Sequence, residues 1–378
     1  MLILINEFCN NIVIKLKKHI NNITFHKWME TTWTKDKMNP KVNPEILDLK
    51  KKLDSIFPSC RFSIEPIDWG ASVRKYFSLL FENHLPDQLI LMQIPLDRLE
   101  IADNHSQICE YFLKYDIPHP RLYQYHRDKG WLLEYPAIGS RLDLYFHTHP
   151  ELMVKIYPEL IYFLIDMQDR CKYDGTCPAF QRFFDEEKYQ FEFQFHVKEQ
   201  LLSIYFKHRF SKQDQLILHK FASEISCFLD SRYPLFVHRD FQSSNIFYNP
   251  DRAQNNIQII DFQDARSGSM VYDLVSLMWD SYLPIPADLR HQMVNLYYEN
   301  QPQVRIHLGR EKFEKMVDFT VIQRKLHDAG AFVYTYNLLR KDYYLRYIED
   351  AIEMAITKMR NYPQFKDIIE LFSRLMGE

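Results

Sequence analysis

The residues best suited to chemistry lie in one run, Phe236-Val237-His238-Arg239-Asp240-Phe241-Gln242-Ser243-Ser244-Asn245-Ile246-Phe247, followed about fifteen residues later by Ile259-Ile260-Asp261-Phe262-Gln263-Asp264. Phosphoryl transfer needs a carboxylate that orients the attacking hydroxyl and accepts its proton. It also needs oxygen ligands that hold metal on the nucleotide phosphates. An H-x-D-x-x-x-x-N loop supplies the base and one metal ligand, and an Asp further on supplies the second. The order and spacing predict Asp240 as base, with Asn245 and Asp261 as ligands of Mg on bound ATP. The Ile-rich stretch before Asp261 would be the short strand that presents it. His238 is expected to organise the loop rather than carry a proton, and Arg239 to be structural. Either half alone is equally well read as a surface loop or a strand end; together, in order, they point to phosphotransfer.

The rest of the chain must hold these groups in place. Residues 1–42 read as an Asn- and Lys-rich extension without periodicity. A helix is predicted from Asn43-Pro44-Glu45, with a capping Asn, Pro at the first position and an acid in the first turn. Arg61–Pro66, Tyr76–Phe81, Gln88–Ile94, Leu122–His126 and Gly130–Tyr135 read as strands, and Ser106–Leu113 as a helix among them. Beyond Pro136 the pattern becomes helical: Leu152–Asp169, Asp185–Phe206, Lys212–Leu229, Val271–Tyr282, Ala287–Asn300, Phe313–Arg340 and Tyr343–Arg360. Short strands around 236–263 interrupt these helices. The predicted fold class is α+β: a small antiparallel-sheet lobe over 43–134, then a large, mainly helical lobe over 135–378 that carries the catalytic and acceptor-binding groups.

Composition narrows the function classes. With 46% hydrophobic and 26% charged residues and a net charge of −3, the chain has a globular balance and no basic excess for nucleic acid. No stretch approaches the roughly 20 apolar residues of a membrane span. Six scattered cysteines show no zinc-like spacing and fit a reducing cytoplasm. The eight glycines form neither a Walker sequence nor G-x-G-x-x-G.

A peptide acceptor is disfavoured as well. Val271-Tyr272-Asp273-Leu274 already reads as a helix start within a dozen residues of Asp261, which leaves no room for an activation segment. Gln263 stands where a D-F-G glycine would, and Gln242 where protein kinases carry lysine. The His-x-Asp-x4-Asn and Ile-Asp-Phe motifs resemble the aminoglycoside phosphotransferase/choline kinase superfamily. Within it the chain is most similar to bacterial amino-sugar kinases, which phosphorylate the anomeric hydroxyl of N-acetylmuramate and N-acetylglucosamine in cell-wall recycling. The resemblance runs from about residue 45 to the C-terminus. It is carried by Gly70-Ala71-Ser72-Val73-Arg74-Lys75-Tyr76-Phe77, the catalytic run, Asp261–Arg266, Tyr272-Asp273-Leu274 and Ile322-Gln323-Arg324-Lys325-Leu326.

The resemblance implies a bilobal protein-kinase-like fold, ATP as donor and a small-molecule acceptor, a sugar by the subfamily match. It implies an adenine-holding hinge near Leu133-Glu134-Tyr135, so Glu134 and Tyr135 join the nucleotide-binding candidates. Gly70, Ala71 and Ser72 would cover the phosphates, with Arg74 and Lys75 adding charge. On the acceptor side it implies Asp264, Glu192, Asp280 and Arg324, the last able to take a lactyl carboxylate in its planar fork. The chain departs from the pattern in three places. Gln93 in the Leu89–Ile94 run gives no strand lysine, Ser244 replaces an expected arginine, and Trp279 replaces a basic residue before Asp280. Other small alcohols (an aminoglycoside, choline, a homoserine-like acceptor) and a nucleotide-binding pseudokinase stay open as alternatives.

Overall fold

A computed structural model of the chain describes residues 44–68, 73–82, 85–230 and 235–377. The N-terminal extension, the capping Asn43 and the phosphate-covering candidates Gly70, Ala71 and Ser72 lie outside the described residues. The chain divides into two compact units. One takes in residues up to Asp97 with Arg121–Pro136 and Tyr145–Ile156; the other takes in Arg98–Pro120, Ala137–Leu144 and Tyr157 onward.

The first unit begins with helix α1 (Pro44–Asp54), which buries Leu49 and Leu53 one turn apart. The same stripe continues to Phe57, which packs edge-on against Phe62 and Phe81. Five antiparallel strands follow, β1 (Arg61–Ile67), β2 (Lys75–Glu82), β3 (Gln88–Gln93), β4 (Leu122–His126) and β5 (Trp131–Glu134), in the order β1-β2-β3-β5-β4. Alternation sets the inner face: Phe62, Phe77, Leu79, Phe81, Leu89, Leu91, Trp131 and Leu133 form one core with the α1 residues. Gly130 turns the β4–β5 connection at φ +65°, where a Cβ would meet the Ile94 carbonyl oxygen at 2.3 Å.

The second unit opens with α2 (Leu99–Lys114), which starts seven residues before the predicted Ser106. Its first turn is entered from a one-turn 3₁₀ segment, Leu96–Arg98, and has no side-chain cap, so no capping residue marks it in the sequence. A three-stranded sheet β6-β8-β9 (Ser140–Arg141, Ile246–Tyr248, Ile257–Ile259) and a pair β7–β10 (Leu235–Val237, Arg266–Gly268) flank the catalytic run. The remaining α-helices of the described chain are α3 (Leu142–Thr148) and α4 (Met153–Arg170), both divided between the units, and then α5 (Glu186–Glu192), α6 (Lys212–Leu229), α7 (Tyr272–Met278), α8 (Ala287–Asn300), α9 (Pro302–His307), α10 (Arg310–Leu339), α11 (Ile348–Met359) and α12 (Lys366–Met376).

Three helices depart from their predicted form; the one read over Val271–Tyr282 already ends at Met278. The Asp185–Phe206 helix is α-helical only to Glu192 and then continues as 13 residues of π-helix, Phe193–Tyr205. Tyr343–Arg360 is a 3₁₀ stretch, Asp342–Tyr347, followed by α11. Helix α10 is the spine of the unit. It is buried on nearly every face between Val317 and Ala329, including Asp318, Gln323, Arg324, Lys325, His327 and Asp328. Polar residues sunk this deeply need partners, and Arg324 finds its own in the loop that carries Asp240. Among the described residues, no helix is long and apolar enough to cross a membrane.

Candidate active site

The catalytic loop leaves β7 at Val237 and runs into a 3₁₀ turn, Ser243–Asn245, before β8. Its backbone is unusual at Arg239, whose φ is +81°. A branched, bulky side chain rarely occupies that region, and such a residue persists only when its surroundings over-determine it. They do so here. Asp273, fully buried at the start of α7, accepts from the backbone N–H of His238 at 2.7 Å and from that of Arg239 at 3.0 Å. The Arg239 carbonyl accepts from Ser276 Oγ at 3.1 Å and from Arg324 Nη1 at 2.9 Å. His238 is buried and its Nε2 lies 3.0 Å from the Ile260 carbonyl, a bond that places the ring proton on Nε2. Burial lowers its pKa. His238 is thus a neutral brace between the loop and the segment that leads from β9 to Asp261.

Asp240 projects from this clamped turn with its side chain 27% exposed. Arg324 Nη2 donates to its Oδ1 at 2.9 Å, and Arg239 Nη1 lies 3.9 Å from its Oδ2. Burial works to raise the carboxyl, but the two guanidinium groups outweigh it and hold the pKa at about 2. Asp240 is therefore ionised at any physiological pH.

Asn245 is buried, and its Nδ2 donates to the Asp240 carbonyl at 2.9 Å. That bond fixes the amide orientation, so the end of the side chain left as an acceptor is Oδ1. The Asn245 carbonyl in turn accepts from Ile260 N at 3.0 Å, which couples the loop to the next residue, Asp261. Asp261 sits at φ +66°. Gln263 Nε2 donates to its Oδ1 at 3.0 Å and reaches Asp264 Oδ2 at 3.4 Å. An amide oxygen and a carboxylate on two hydrogen-bonded segments are hard oxygen donors of the kind Mg takes beside nucleotide phosphates. The donor set fits that ion.

The acceptor-side candidates occupy different settings. Asp264 has 41% of its side chain exposed and sits 3.7 Å from Arg239 Nη1. Glu192, at 1% exposure, takes a bond from Gln323 Nε2 at 2.7 Å and pairs with Lys188 at 3.0 Å. Burial opposes its ionisation, but His327, Lys188 and Arg239 bring its pKa down to about 2. Asp280 is buried and braces the loop, accepting from Ser243 N at 2.8 Å, from Ser243 Oγ at 2.5 Å and from Tyr282 N at 2.8 Å. Arg324, 3% exposed, faces Asp240, the Arg239 carbonyl, the Tyr272 hydroxyl and Asp328.

The nucleotide-side candidates belong to the first unit. Glu134 is buried at the end of β5 opposite Ile90. Tyr135, 40% exposed, donates its N–H to Arg121 O at 2.9 Å. Lys75 pairs with Glu45 of α1, and Arg74 lies over the Tyr76 ring at 5.9 Å. Asp273 was not among the sequence candidates, although Tyr272-Asp273-Leu274 is the run that marks it. Its partner is a backbone amide more than thirty residues away, and only the fold shows that pairing.

Comparison with known proteins gives the family and the fold. The model of the phosphotransferase enzyme family matches residues 63–307. A protein named N-acetylmuramate/N-acetylglucosamine kinase from Neisseria meningitidis is 23% identical over 88% of this chain and 96% of its own. A protein of the same name from Pseudomonas aeruginosa is 27% identical over 37% of this chain and 41% of its own. Among solved structures, an aminoglycoside phosphotransferase in complex with GDP and kanamycin superposes with a TM-score of 0.57 at 14% identity, covering 84% of this chain and 99% of that one. The choline kinase LicA from Streptococcus pneumoniae does so with a TM-score of 0.56 at 14% identity, covering 83% and 100%. These structural neighbours share the kinase-like α+β fold. The chain belongs to the phosphotransferase enzyme family and is an ATP-dependent phosphotransferase acting on a small molecule.

Proposed function

We propose that the protein phosphorylates the anomeric hydroxyl of an amino sugar, N-acetylmuramate or N-acetylglucosamine, with ATP as donor. One observation carries the chemistry: a carboxylate at Asp240, kept ionised by two arginines, beside the oxygen donors Asn245 and Asp261. The amino-sugar acceptor rests on the Neisseria relative, whose likeness extends over nearly the whole of both chains.

Asp240 receives the hydrogen bond of the acceptor hydroxyl and aims its oxygen lone pair at the γ-phosphorus. A carboxylate with a pKa near 2 is a weak proton sink, so its first task is orientation. The proton passes to Asp240 as the new P–O bond forms and the attacking oxygen becomes acidic. The bond from the γ-phosphorus to the bridging oxygen breaks, and ADP leaves with those electrons. This suits a loose transition state, in which positioning and charge matter more than basicity. Asn245 and Asp261 would hold Mg, which when bound offsets charge on the phosphates. Arg324 and Asp273 act through Asp240, one by orienting its carboxylate and the other by fixing its backbone. Glu134 and Tyr135 are the proposed adenine contacts. With glutamine at position 93, phosphate contact falls to Arg74 or Lys75 and to the Gly70–Ser72 turn. Asp264 is the proposed hydrogen-bond acceptor for sugar hydroxyls, whereas Glu192, buried and held by Gln323 and Lys188, acts as a support.

The test is ATP consumption with Mg across N-acetylmuramate, N-acetylglucosamine, an aminoglycoside, choline and homoserine, with phosphorus NMR of any product. A sugar 1-phosphate supports the reading. Turnover only with another acceptor keeps the mechanism and discards the amino sugar. ATP binding without turnover on any of them would leave a nucleotide-binding interaction module.

A further inference from the structure

Arginines surround the catalytic carboxylates of the helical unit beyond what those carboxylates need. Arg239 lies between Asp240 and Asp264, at 3.9 and 3.7 Å, and Arg324 faces Asp240 and Asp328. Lys188 is matched by Glu192. Two further cations have no such match. Arg182 donates through Nη2 to the carbonyl of Gln263, the residue before Asp264, at 2.9 Å. Arg266 stands two residues after Asp264 at the start of β10, with its guanidinium 5.7 Å from the Phe184 ring. Among the described residues neither makes an ion pair. The Nε atoms of Arg182, Arg239 and Arg266 are all buried without a hydrogen-bond partner.

An arginine cannot shed its proton to relieve such a position. Burial lowers the pKa of both Arg182 and Arg266. Arg239 lowers Arg266 further against the opposing pull of Asp264 and Glu192, and Arg266 and Arg239 lower Arg182 against that of Asp264. Arg182 and Arg266 are carried by one fixed backbone frame. Phe184 N donates to Ser267 O and Ser267 N to Arg182 O, each at 2.8 Å, which ties the Arg182 segment to the strand carrying Arg266.

Half-buried guanidinium groups with unsatisfied N–H donors and no ion pair call for an anion. Resting on the amino-sugar reading above, we infer that Arg182 and Arg266, with Arg239, recognise a carboxylate on the acceptor. The preferred substrate is then the acidic sugar N-acetylmuramate, whose lactyl group is ionised at neutral pH, over the neutral N-acetylglucosamine. A carboxylate supplies four lone-pair sites for such donors, which a sugar hydroxyl does not. The same cluster disfavours a polycationic acceptor such as an aminoglycoside.

Steady-state kinetics of the full chain with Mg and ATP test this on N-acetylmuramate, its lactyl methyl ester and N-acetylglucosamine. The wild-type protein is expected to show kcat/KM at least about tenfold higher for the free acid than for the ester or the neutral sugar, the scale of a charge-assisted hydrogen bond. Arg182→Met and Arg266→Met should each shrink that ratio by about tenfold through KM for the acid, with KM for ATP little changed. Arg266→Lys, which keeps the charge, should recover part of it. Equal rates for acid and ester in the wild-type protein would overturn the inference without needing any variant to fold. So would a parallel loss on acid and neutral sugar, or a change confined to KM for ATP, which would assign the cluster to the nucleotide. Absence of turnover on all three sugars would instead remove the amino-sugar reading itself.

Discussion

Arg324 donates to the carboxylate of Asp240 at 2.9 Å across 84 positions of sequence, from a side chain with almost no access to solvent. A buried guanidinium with one catalytic partner sets both the position and the charge state of that partner. Arg324→Met is expected to lower kcat about a hundredfold, because misplacement of a reacting group by an ångström has that scale. It should also move the acid limb of the pH–rate profile upward. With Arg324 gone, burial still raises the Asp240 carboxyl and only Arg239 and, more weakly, His238 lower it, so the pKa climbs from about 2 and protonation intrudes at higher pH. Arg324→Lys should restore part of the charge but not the two-pronged contact with Asp240 and the Arg239 carbonyl. A rate loss with an unmoved acid limb would show that Arg324 does not set this pKa.

Asp240→Asn removes the charge and keeps the shape. Turnover should fall by about three orders of magnitude, within the range for loss of a positioned base. Affinity for ATP, read by fluorescence or calorimetry, should change by no more than a few-fold. A variant that keeps a tenth of the rate would exclude Asp240 as the group receiving the proton.

The catalytic run was legible because its spacing is local. Asp240 and Asn245 lie on one loop and Asp261 just past the β8–β9 hairpin that follows it, so order along the chain implies proximity. Helices with clear ends were legible for the same reason. Ser211 and Asp214 form a capping box before α6, and that helix spans Lys212–Leu229 as read from the sequence. The supports of the loop were not legible. Arg324 reads in the sequence as an acceptor-side residue for a lactyl carboxylate, and nothing in its neighbours marks it as the partner of Asp240. Asp280 looks like an acceptor-side acid and is instead held by Ser243, 37 residues away. The change from α- to π-helix at Phe193 was equally hidden, because it depends on what packs against the helix.

The pH dependence of stability should carry the signature of Asp273. Burial raises its carboxyl from 3.8 to about 7, against the lowering pull of the two backbone N–H groups it accepts and of Arg324. A raised folded-state pKa means that the folded protein holds a proton which the unfolded chain releases near pH 4. The associated stability is complete below that pH and is lost as pH rises through about 7. Asp273→Asn cannot titrate, and its amide turns a donor toward one of the two N–H groups. The variant should therefore be less stable throughout, by a margin that narrows between pH 5 and pH 8. Thermal melts across that range would show it, and parallel curves for the two proteins would count against a raised Asp273.

Gly330 offers a case in which two effects of known sign compete. Alanine in a helix interior is favoured over glycine by about 1 kcal/mol, so Gly330→Ala on an exposed helix would stabilise. Here a Cβ would meet the carbonyl oxygen of His196 at 2.0 Å, its carbonyl carbon at 2.5 Å and its Cα at 2.9 Å, all backbone atoms of the π-helical stretch. None of these can swing aside as a side chain would, so one helix must shift. Overpacking of that kind costs about 1–3 kcal/mol or more and outweighs the propensity gain. The shift also falls where the His196 and His327 rings meet at 4.2 Å, four residues from Glu192. Gly330→Ala should therefore lower the urea midpoint and raise KM for the acceptor sugar more than KM for ATP. A stabilised variant with unchanged kinetics would mean that the two helices are not held this closely in solution.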